Sequence, residues 1–152
     1  MATRIAFLLL LLFALPLSSR ADPPLDRKPL SIETADGQSH AFTVEVARTA
    51  EQQEQGLMFR KQLAPDAGMI FPSESERPVV FWMKNTLIPL DMLFIAADGK
   101  VSRIAERTVP LSETPISSIE EVRAVLEVNG GTAARLGIKP GDVVRDSALG
   151  NE

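Results

Sequence analysis

Cysteine is absent from this 152-residue chain, and histidine occurs once, at His40. Without cysteine the protein can have no disulfide framework, no thiol nucleophile and no cysteine-ligated metal. A single histidine excludes the paired imidazoles of common zinc and iron sites, and no serine lies in the context of a nucleophile elbow. The sequence therefore predicts neither a metal site nor a cofactor.

Positive charge is also scarce. The chain has 16 lysine and arginine residues against 20 aspartate and glutamate residues, a formal net charge of −4, and no block of like charge. An acidic chain of this kind is a poor match for the phosphate backbone of nucleic acid or for an anionic membrane surface. We therefore expect no nucleic acid among its partners, and no membrane once a leader has been removed.

Long apolar runs are represented by one segment, residues 5–15, directly after Arg4. A basic start, an apolar core of this length and the small residues of Ser19-Arg20-Ala21 are typical of a secretory signal peptide. The run is shorter than the about 20 apolar residues that a membrane-spanning helix needs. We predict a signal peptide over residues 1–21 and export to the periplasm or the outside of a bacterial cell. An uncleaved N-terminal anchor is the alternative.

The chain that follows the predicted leader has the length of one domain. Residues 22–29 contain three prolines and are predicted to be a flexible lead-in. Residues 30–146 are predicted to form a single β domain, and residues 147–152 a frayed tail.

Short alternating segments dominate that domain. Two Asp-Gly pairs, at residues 36–37 and 98–99, lie between such segments and are typical of tight hairpin turns. Thr49 and Gln52 have the spacing of a capping box at the start of a short helix, which Gly56 can end. About eight short strands with little helix predict a mainly β fold, a compact antiparallel β-sandwich or β-barrel with one or two short helices.

Polar side chains interrupt the most apolar part of this domain, the stretch FWMKNTLIPLDMLFI at residues 81–95. Two strands are predicted here, over residues 79–84 and 90–96. Burying a charged or amide group costs several kcal/mol unless it is paired or hydrogen-bonded. Each such group therefore needs a partner, either within the fold or in a ligand.

Lys84 and Asp91 are the two charged groups of this stretch, and a hairpin would bring them together at its mouth. One interpretation is structural: an ion pair, with Asn85 bonding main-chain groups of the connection. The other is a polar pocket with Trp82 as its stacking wall. The sequence leaves Lys84 and Asp91 open between the two, whereas Asn85 and Trp82 are more simply explained as turn and core residues.

Arg60 and Glu127 complete the candidate ligand-binding residues. Arg60 follows residues 57–59, which we expect to pack on the core. It can reach a carboxylate, or it is a solvated charge at the helix exit. Glu127 lies in the apolar strand VLEV, where an exposed face is the simpler interpretation.

Several segments, in this order, resemble the domain of unknown function 192 family. They are residues 56–60, 68–71, 81–95, 126–127 and 137–144, within a likeness from about residue 42 to residue 145. The resemblance implies a compact, mainly β prokaryotic domain, often exported, with no assigned activity. It also implies that seven residues occupy motif positions: Arg60, Trp82, Lys84, Asn85, Thr86, Asp91 and Glu127.

Three functions are compatible with these residues. The leading hypothesis is an exported binding or accessory module for a small polar ligand, such as a saccharide or a cell-envelope fragment, held against Trp82 and its polar neighbours. The rival is a hydrolase-type enzyme in which Asp91 acts as general base and Lys84 tunes it. The third is a structural domain that docks on an envelope protein.

Overall fold

The computed structural model describes residues 24–151, which form a barrel-like β-sheet with a small second sheet beside it. The strands are β1 (Asp26–Glu33), β2 (Ser39–Val46), β3 (Ala67–Arg77), β4 (Val80–Phe81), β5 (Leu90–Ile95), β6 (Val101–Ala105), β7 (Ile116–Ser117), β8 (Val122–Asn129) and β9 (Val143–Arg145). The helices are α1 (Ala50–Gln55) and α2 (Thr132–Leu136), and a 3-10 turn covers Ser147–Leu149. The predicted mainly β fold with two short helices is confirmed.

The main sheet has the strand order β6-β5-β8-β3-β2-β1-β9. Its two ends meet, because Lys100 bridges Val143 and the N–H of Val144 donates to the carbonyl of Gly99 at 2.8 Å. The sheet is therefore nearly closed. Among its strand pairs, β2 and β3 run parallel and the others antiparallel. A parallel pair needs a crossover connection, and this one carries α1.

The sheet packs against a hydrophobic core on each face. The inner core receives side chains from every strand of the main sheet, among them Ile32, Val44, Ile70, Leu93, Leu126 and Val144. The outer core lies on the other face of β3, β5 and β8, and includes Met69, Phe71, Met83, Met92 and Phe94. All six residues of β5 are buried, because alternate side chains enter different cores. This explains why that strand is apolar without alternation.

The chain enters the sheet earlier than predicted. Strand β1 begins at Asp26, so the flexible lead-in predicted for residues 22–29 is wrong from there on. Pro29 lies within β1 opposite Thr43, whose N–H donates away from β1, to the carbonyl of Asp66 at 2.8 Å. Pro29 therefore has no hydrogen bond to lose on the β2 side, and β9 covers only residues 31–33 on the other. The predicted signal peptide, residues 1–21, lies outside the described residues.

The hairpin predicted between residues 79–84 and 90–96 does not form. Only Val80–Phe81 is extended, and this strand pairs with β7 in the second sheet. Asn85 has a left-handed φ of 55°, which turns the chain away, and β5 pairs with β6 and β8 instead. The polar groups of this stretch therefore lie in a turn and in a central strand, not at a hairpin mouth.

The end of the described chain is held against the barrel, so the prediction of a frayed tail is wrong for residues 147–151. The ammonium of Lys28 pairs with the carboxylate of Asp146 and lies 3.3 Å from the hydroxyl of Ser147. The side chain of Asn151 accepts from the Asp146 N–H at 3.1 Å and donates to the Val144 carbonyl at 2.8 Å. These contacts fix the 3-10 turn beside β1 and β9.

Large apolar side chains that are exposed in the described chain lie outside the main sheet. They are Phe59, Val80, Trp82, Leu87, Val109, Leu111 and Ile119. The prediction that residues 57–59 pack on the core is wrong for Phe59, which a φ of 62° turns outward, whereas Leu57 is buried. Docking on an envelope protein stays a prediction.

Residues 24–151 include no helix with the length and apolar character to cross a membrane.

Candidate functional site

A cavity of about 410 Å³ opens on the outer face of the sheet, above the outer core. This volume lies within the range of small-molecule sites. Its lining runs from residues 53–58, at the end of α1, through residues 77–82 to Phe71, Thr86 and Glu127. We call it the outer cavity. It lies between the crossover helix and the segment that the sequence singled out.

One wall of the outer cavity is formed by α1, and specific contacts fix both ends of this helix. The hydroxyl of Thr49 accepts from the Gln52 N–H at 3.2 Å, and the Gln52 side chain accepts from the Thr49 N–H at 3.1 Å. The predicted capping box is thus confirmed. Gly56 ends the helix with φ 46°, and a Cβ there would lie 3.3 Å from the ring of Phe71. Glycine lets the helix end come this close to β3.

Glu127 forms the floor of the outer cavity. In β8 it lies opposite Met69 of β3 and Met92 of β5, so it faces the outer core. Its exposed fraction is 5%, and its carboxyl group has no hydrogen bond within residues 24–151. Burial raises the pKa of Glu127 to about 8, so at neutral pH the group is mostly protonated. The prediction that Glu127 lies on an exposed face is wrong.

Trp82 stands at the mouth of the outer cavity, where 46% of its surface is exposed. The ammonium of Lys84 lies 5.1 Å from the centre of the indole ring, in a cation–π contact. Trp82 is thus a rim residue and not the core residue that the simpler interpretation predicts. An exposed indole beside a cavity is available to a ligand.

Two further polar side chains lie below the rim. Gln53 directs its amide nitrogen to the carbonyls of Ala47 at 3.2 Å and Pro72 at 3.0 Å. Thr86 is 5% exposed and donates from its hydroxyl to the carbonyl of Lys84 at 3.3 Å. Both side chains are therefore held in fixed orientations by main-chain groups.

Asp91 lies elsewhere, and the Lys84–Asp91 ion pair of the structural interpretation does not form. The carboxylate is fully buried. It accepts the main-chain N–H groups of Arg107 at 2.8 Å, Gly131 at 2.9 Å and Ala133 at 2.8 Å. These three donors compensate its burial, so Asp91 ties β5 to the loop after β6 and to the start of α2.

Asn85 and Arg60 also have structural partners. The carbonyl of Asn85 accepts the Phe59 N–H at 2.8 Å within the left-handed turn. Arg60 pairs with Glu45, which also accepts a hydrogen bond from Arg27 at 2.7 Å. Although burial opposes ionisation of Glu45, the hydrogen bonds from Arg60 and Arg27 lower its pKa. This cluster joins β1 and β2 to the segment after α1.

A second cavity, of about 470 Å³, lies near the start of α2, beside Arg107 and Arg135. Polar groups of its lining are already used: the Asn129 amide donates to the carbonyls of residues 63 and 64, and the Gly131 N–H donates to Asp91. The outer cavity, with its unpartnered carboxyl group, is the stronger candidate site. Among the described residues, no cluster of three or more histidine, aspartate or glutamate side chains could hold a metal ion.

The structure divides the predicted ligand-binding residues into two groups. Two of them line the outer cavity: Trp82 and Glu127. The others lie outside its lining: Arg60, Lys84, Asn85 and Asp91. Sequence reasoning missed Gln53 and Phe71. A capping box locates helix α1, and an apolar run locates strand β3, but neither shows which side chain faces a cavity. Thr86 entered only through the family resemblance.

Two crystal structures are similar to this chain over most of its length. One, from Sinorhizobium meliloti and described as a "putative transcription regulator", has 48% sequence identity and a TM-score of 0.82, and the match covers 84% of this chain and 99% of that one. The other, a protein of unknown function from Novosphingobium aromaticivorans, has 41% identity and a TM-score of 0.77, with 88% and 99% covered. No curated protein matches the chain.

A family model gives the assignment. The model DUF192, described as "Uncharacterized ACR", matches residues 31–145, which is most of the chain. This range includes Trp82 and Glu127, the two predicted residues that line the outer cavity. The match confirms the family resemblance seen in the sequence. The chain therefore belongs to the DUF192 family.

Proposed function

We propose that this protein is a binding module for a small polar ligand and that the outer cavity is its binding site. The observation that carries the proposal is Glu127, a carboxyl group with 5% exposure and no hydrogen bond within the described residues. The carboxyl oxygens of Glu127 are not among the fully enclosed unpaired atoms of residues 24–151, so they are open to the cavity and to a hydrogen bond from a ligand. A buried carboxyl group with a raised pKa, facing a cavity, is a functional-site candidate on physical grounds.

The lining supports a saccharide or a cell-envelope fragment as the ligand. Phe71 and Trp82 offer aromatic surfaces on which the apolar face of a sugar ring can pack. Glu127 and Thr86 offer hydrogen bonds to hydroxyl groups. The predicted leader would deliver such a module to the cell envelope. The description of the Sinorhizobium meliloti relative concerns that protein, and the acidic composition here favours a small ligand over nucleic acid.

A thermal-shift screen of saccharides and envelope fragments tests the proposal. The variants are Trp82→Ala and, as a matched control, Leu87→Ala, a similarly exposed apolar residue that does not line the outer cavity. We expect a ligand that raises Tm in wild type and Leu87→Ala and that binds about tenfold more weakly to Trp82→Ala, a difference of about 1.4 kcal/mol. The proposal is wrong if no ligand raises Tm, or if the shift is the same in all three proteins.

A hydrolase is the second candidate, and the observation that favours it is Glu127 and not Asp91. The carboxylate of Asp91 is fully buried and held by three main-chain donors, which leaves it unsuited to the role of general base. Because burial raises the pKa of Glu127 to about 8, this group can donate a proton at neutral pH. New reducing ends from a bound oligosaccharide, lost in Glu127→Gln while binding is kept, would establish the enzyme. Binding without turnover in wild type supports the module.

A further inference from the structure

We infer that the ligand of the outer cavity carries an ammonium group that lies against Glu127. The inference rests on the function proposed above and narrows its ligand to a cationic amine. It rests on the hydrogen-bonding groups of the lining that have no partner within the protein and are left for a ligand. Below the rim these groups belong to Gln53, Thr86 and Glu127.

Gln53 offers the cavity an acceptor. A side-chain amide has two N–H donors and one carbonyl oxygen. Both donors of Gln53 are engaged, with the carbonyls of Ala47 at 3.2 Å and Pro72 at 3.0 Å. These two partners also identify the nitrogen and the oxygen of the amide, because the amide oxygen has no hydrogen to donate to a carbonyl group. What remains for a ligand is the Gln53 side-chain oxygen.

Thr86 offers an acceptor for the same reason. A hydroxyl group has one hydrogen to donate and two lone pairs. The hydroxyl of Thr86 donates to the carbonyl of Lys84 at 3.3 Å. Its lone pairs remain for a ligand. The lower part of the cavity therefore calls for a ligand that donates hydrogen bonds.

The charged groups of the lining favour a cationic donor once Glu127 ionises. The exposed rim does not add to this preference, because Glu54 is offset by Arg77 and the ammonium of Lys84 already lies over the Trp82 ring at 5.1 Å. Below the rim, the charge that a ligand meets is the carboxylate that Glu127 forms on losing its proton. An ammonium group has three donors and no acceptor, so it matches this set better than a hydroxyl group does.

Proton release follows from the state of Glu127. Because burial raises its pKa to about 8, roughly nine in ten molecules carry this proton at pH 7 when the cavity is free. When an ammonium group enters, the carboxyl O–H bond breaks, the proton passes to the buffer, and the carboxylate pairs with the cation. Binding at pH 7 therefore releases close to one proton. Apparent affinity rises up to tenfold per pH unit until about pH 8 and then levels off.

Three probes that share one ring test the inference: cyclohexylammonium, cyclohexanol and cyclohexanecarboxylate. Binding is followed by NMR through the indole N–H of Trp82, the single tryptophan of the chain. Calorimetry in two buffers of different ionisation enthalpy counts the protons. We expect the ammonium probe to bind at least tenfold more tightly than the alcohol at pH 8, with no detectable binding of the carboxylate. Glu54→Gln, at the exposed rim, should change these affinities far less than Glu127→Gln.

The outcomes separate this inference from the function on which it rests. If cyclohexanol or neutral saccharides bind as tightly as the amine in a Trp82-dependent manner, the module stands and the ammonium inference is overturned. Affinity that falls above pH 8 would also overturn it, because a protonated Glu127 would then be the donor. A Kd for cyclohexylammonium weaker than about 10 mM would overturn the ammonium inference as well. The wild-type pH profile decides the matter even if Glu127→Gln does not fold.

Discussion

Two buried carboxyl groups, those of Asp91 and Glu127, show how differently one kind of residue is accommodated in this protein. Asp91 is fully buried and accepts three main-chain N–H groups, so its charge is compensated inside the fold. Glu127 is nearly as buried, but its surroundings are methionine and aromatic side chains and an open cavity. The first arrangement stabilises the fold, whereas the second leaves a carboxyl group for which we propose a ligand as the partner.

Asp91→Asn tests the structural role of the first carboxylate. The substitution places an N–H donor against main-chain donors, and we expect it to lower the free energy of unfolding by about 2–4 kcal/mol. Lys84→Met is the control, because a cation–π contact at a partly exposed site is worth about 0.5–1 kcal/mol. Urea unfolding of both variants measures the difference. Equal losses would contradict the separation of Lys84 from Asp91.

Glu127→Gln tests the second carboxyl group through the pH dependence of stability. The pKa of Glu127 is about 8 in the folded protein against an ordinary value of 4.5, so the folded state keeps a proton that the unfolded chain releases. The stability tied to this proton is fully present below about pH 4.5 and is lost as the pH rises to about 8. Glutamine does not titrate. We therefore expect the variant to gain on wild type over this range, with a limiting slope of about 1.4 kcal/mol per pH unit. Parallel stability curves from urea unfolding would rule this out.

The sequence shows that the polar groups within its apolar segments need partners, but it does not show which atoms these partners are. The donors to Asp91 are main-chain groups of residues 107, 131 and 133, which no side-chain pattern marks. The apolar strand pattern predicts an exposed face for Glu127, because strand alternation shows two faces and not what covers them. Trp82 and Glu127 line the same cavity because the crossover helix and the second sheet lie over the face of β8 that carries Glu127.

At the scale of elements, the segment between β4 and β5 decides where the candidate site lies. Its sequence predicts two strands joined as a hairpin, but the left-handed turn at Asn85 directs the chain elsewhere, and β4 pairs with β7 instead. The turn places Thr86 in the cavity lining and accepts the Phe59 N–H. Pairing between distant short strands such as β4 and β7 has little signature in the sequence, so this layer escapes prediction.

Substitutions of Asn85 test that turn. A valine in the left-handed region suffers the clash of its Cβ with the main chain, so we expect Asn85→Val to lower the free energy of unfolding by about 1–2 kcal/mol. Asn85→Gly is the matched variant and should change it by no more than about 0.5 kcal/mol, since glycine adopts this conformation readily. Urea unfolding compares the two. Equal effects would mean that the left-handed conformation is not required.

For the whole molecule, we expect the double covering of β5 and β8 to make these strands the last to open. Their side chains enter both the inner core and the outer core, whereas β1 and β9 contribute to the inner core alone. Hydrogen exchange should therefore be slowest for main-chain amides of β5 and β8, by about tenfold or more relative to β9. Exchange in β9 as slow as in β5 would contradict this.

A mainly antiparallel sandwich or barrel was predictable from hairpin signals. The parallel pairing of β2 with β3 was not, because its crossover resembles an ordinary loop and helix.

The near closure of the sheet also bears on how separate copies of the protein behave towards each other. The last turn before β6 meets β9, so an incoming chain finds few unpaired main-chain groups there. Within residues 24–151, no strand pairs with the outer edge of the first half of β1, and the Pro29 nitrogen points towards that edge. A proline has no N–H to offer, so Pro29 disfavours the addition of a strand from another copy at this edge. Pro29 is one of the three prolines that make residues 22–29 resemble a flexible lead-in, and in the fold it opposes edge-to-edge association.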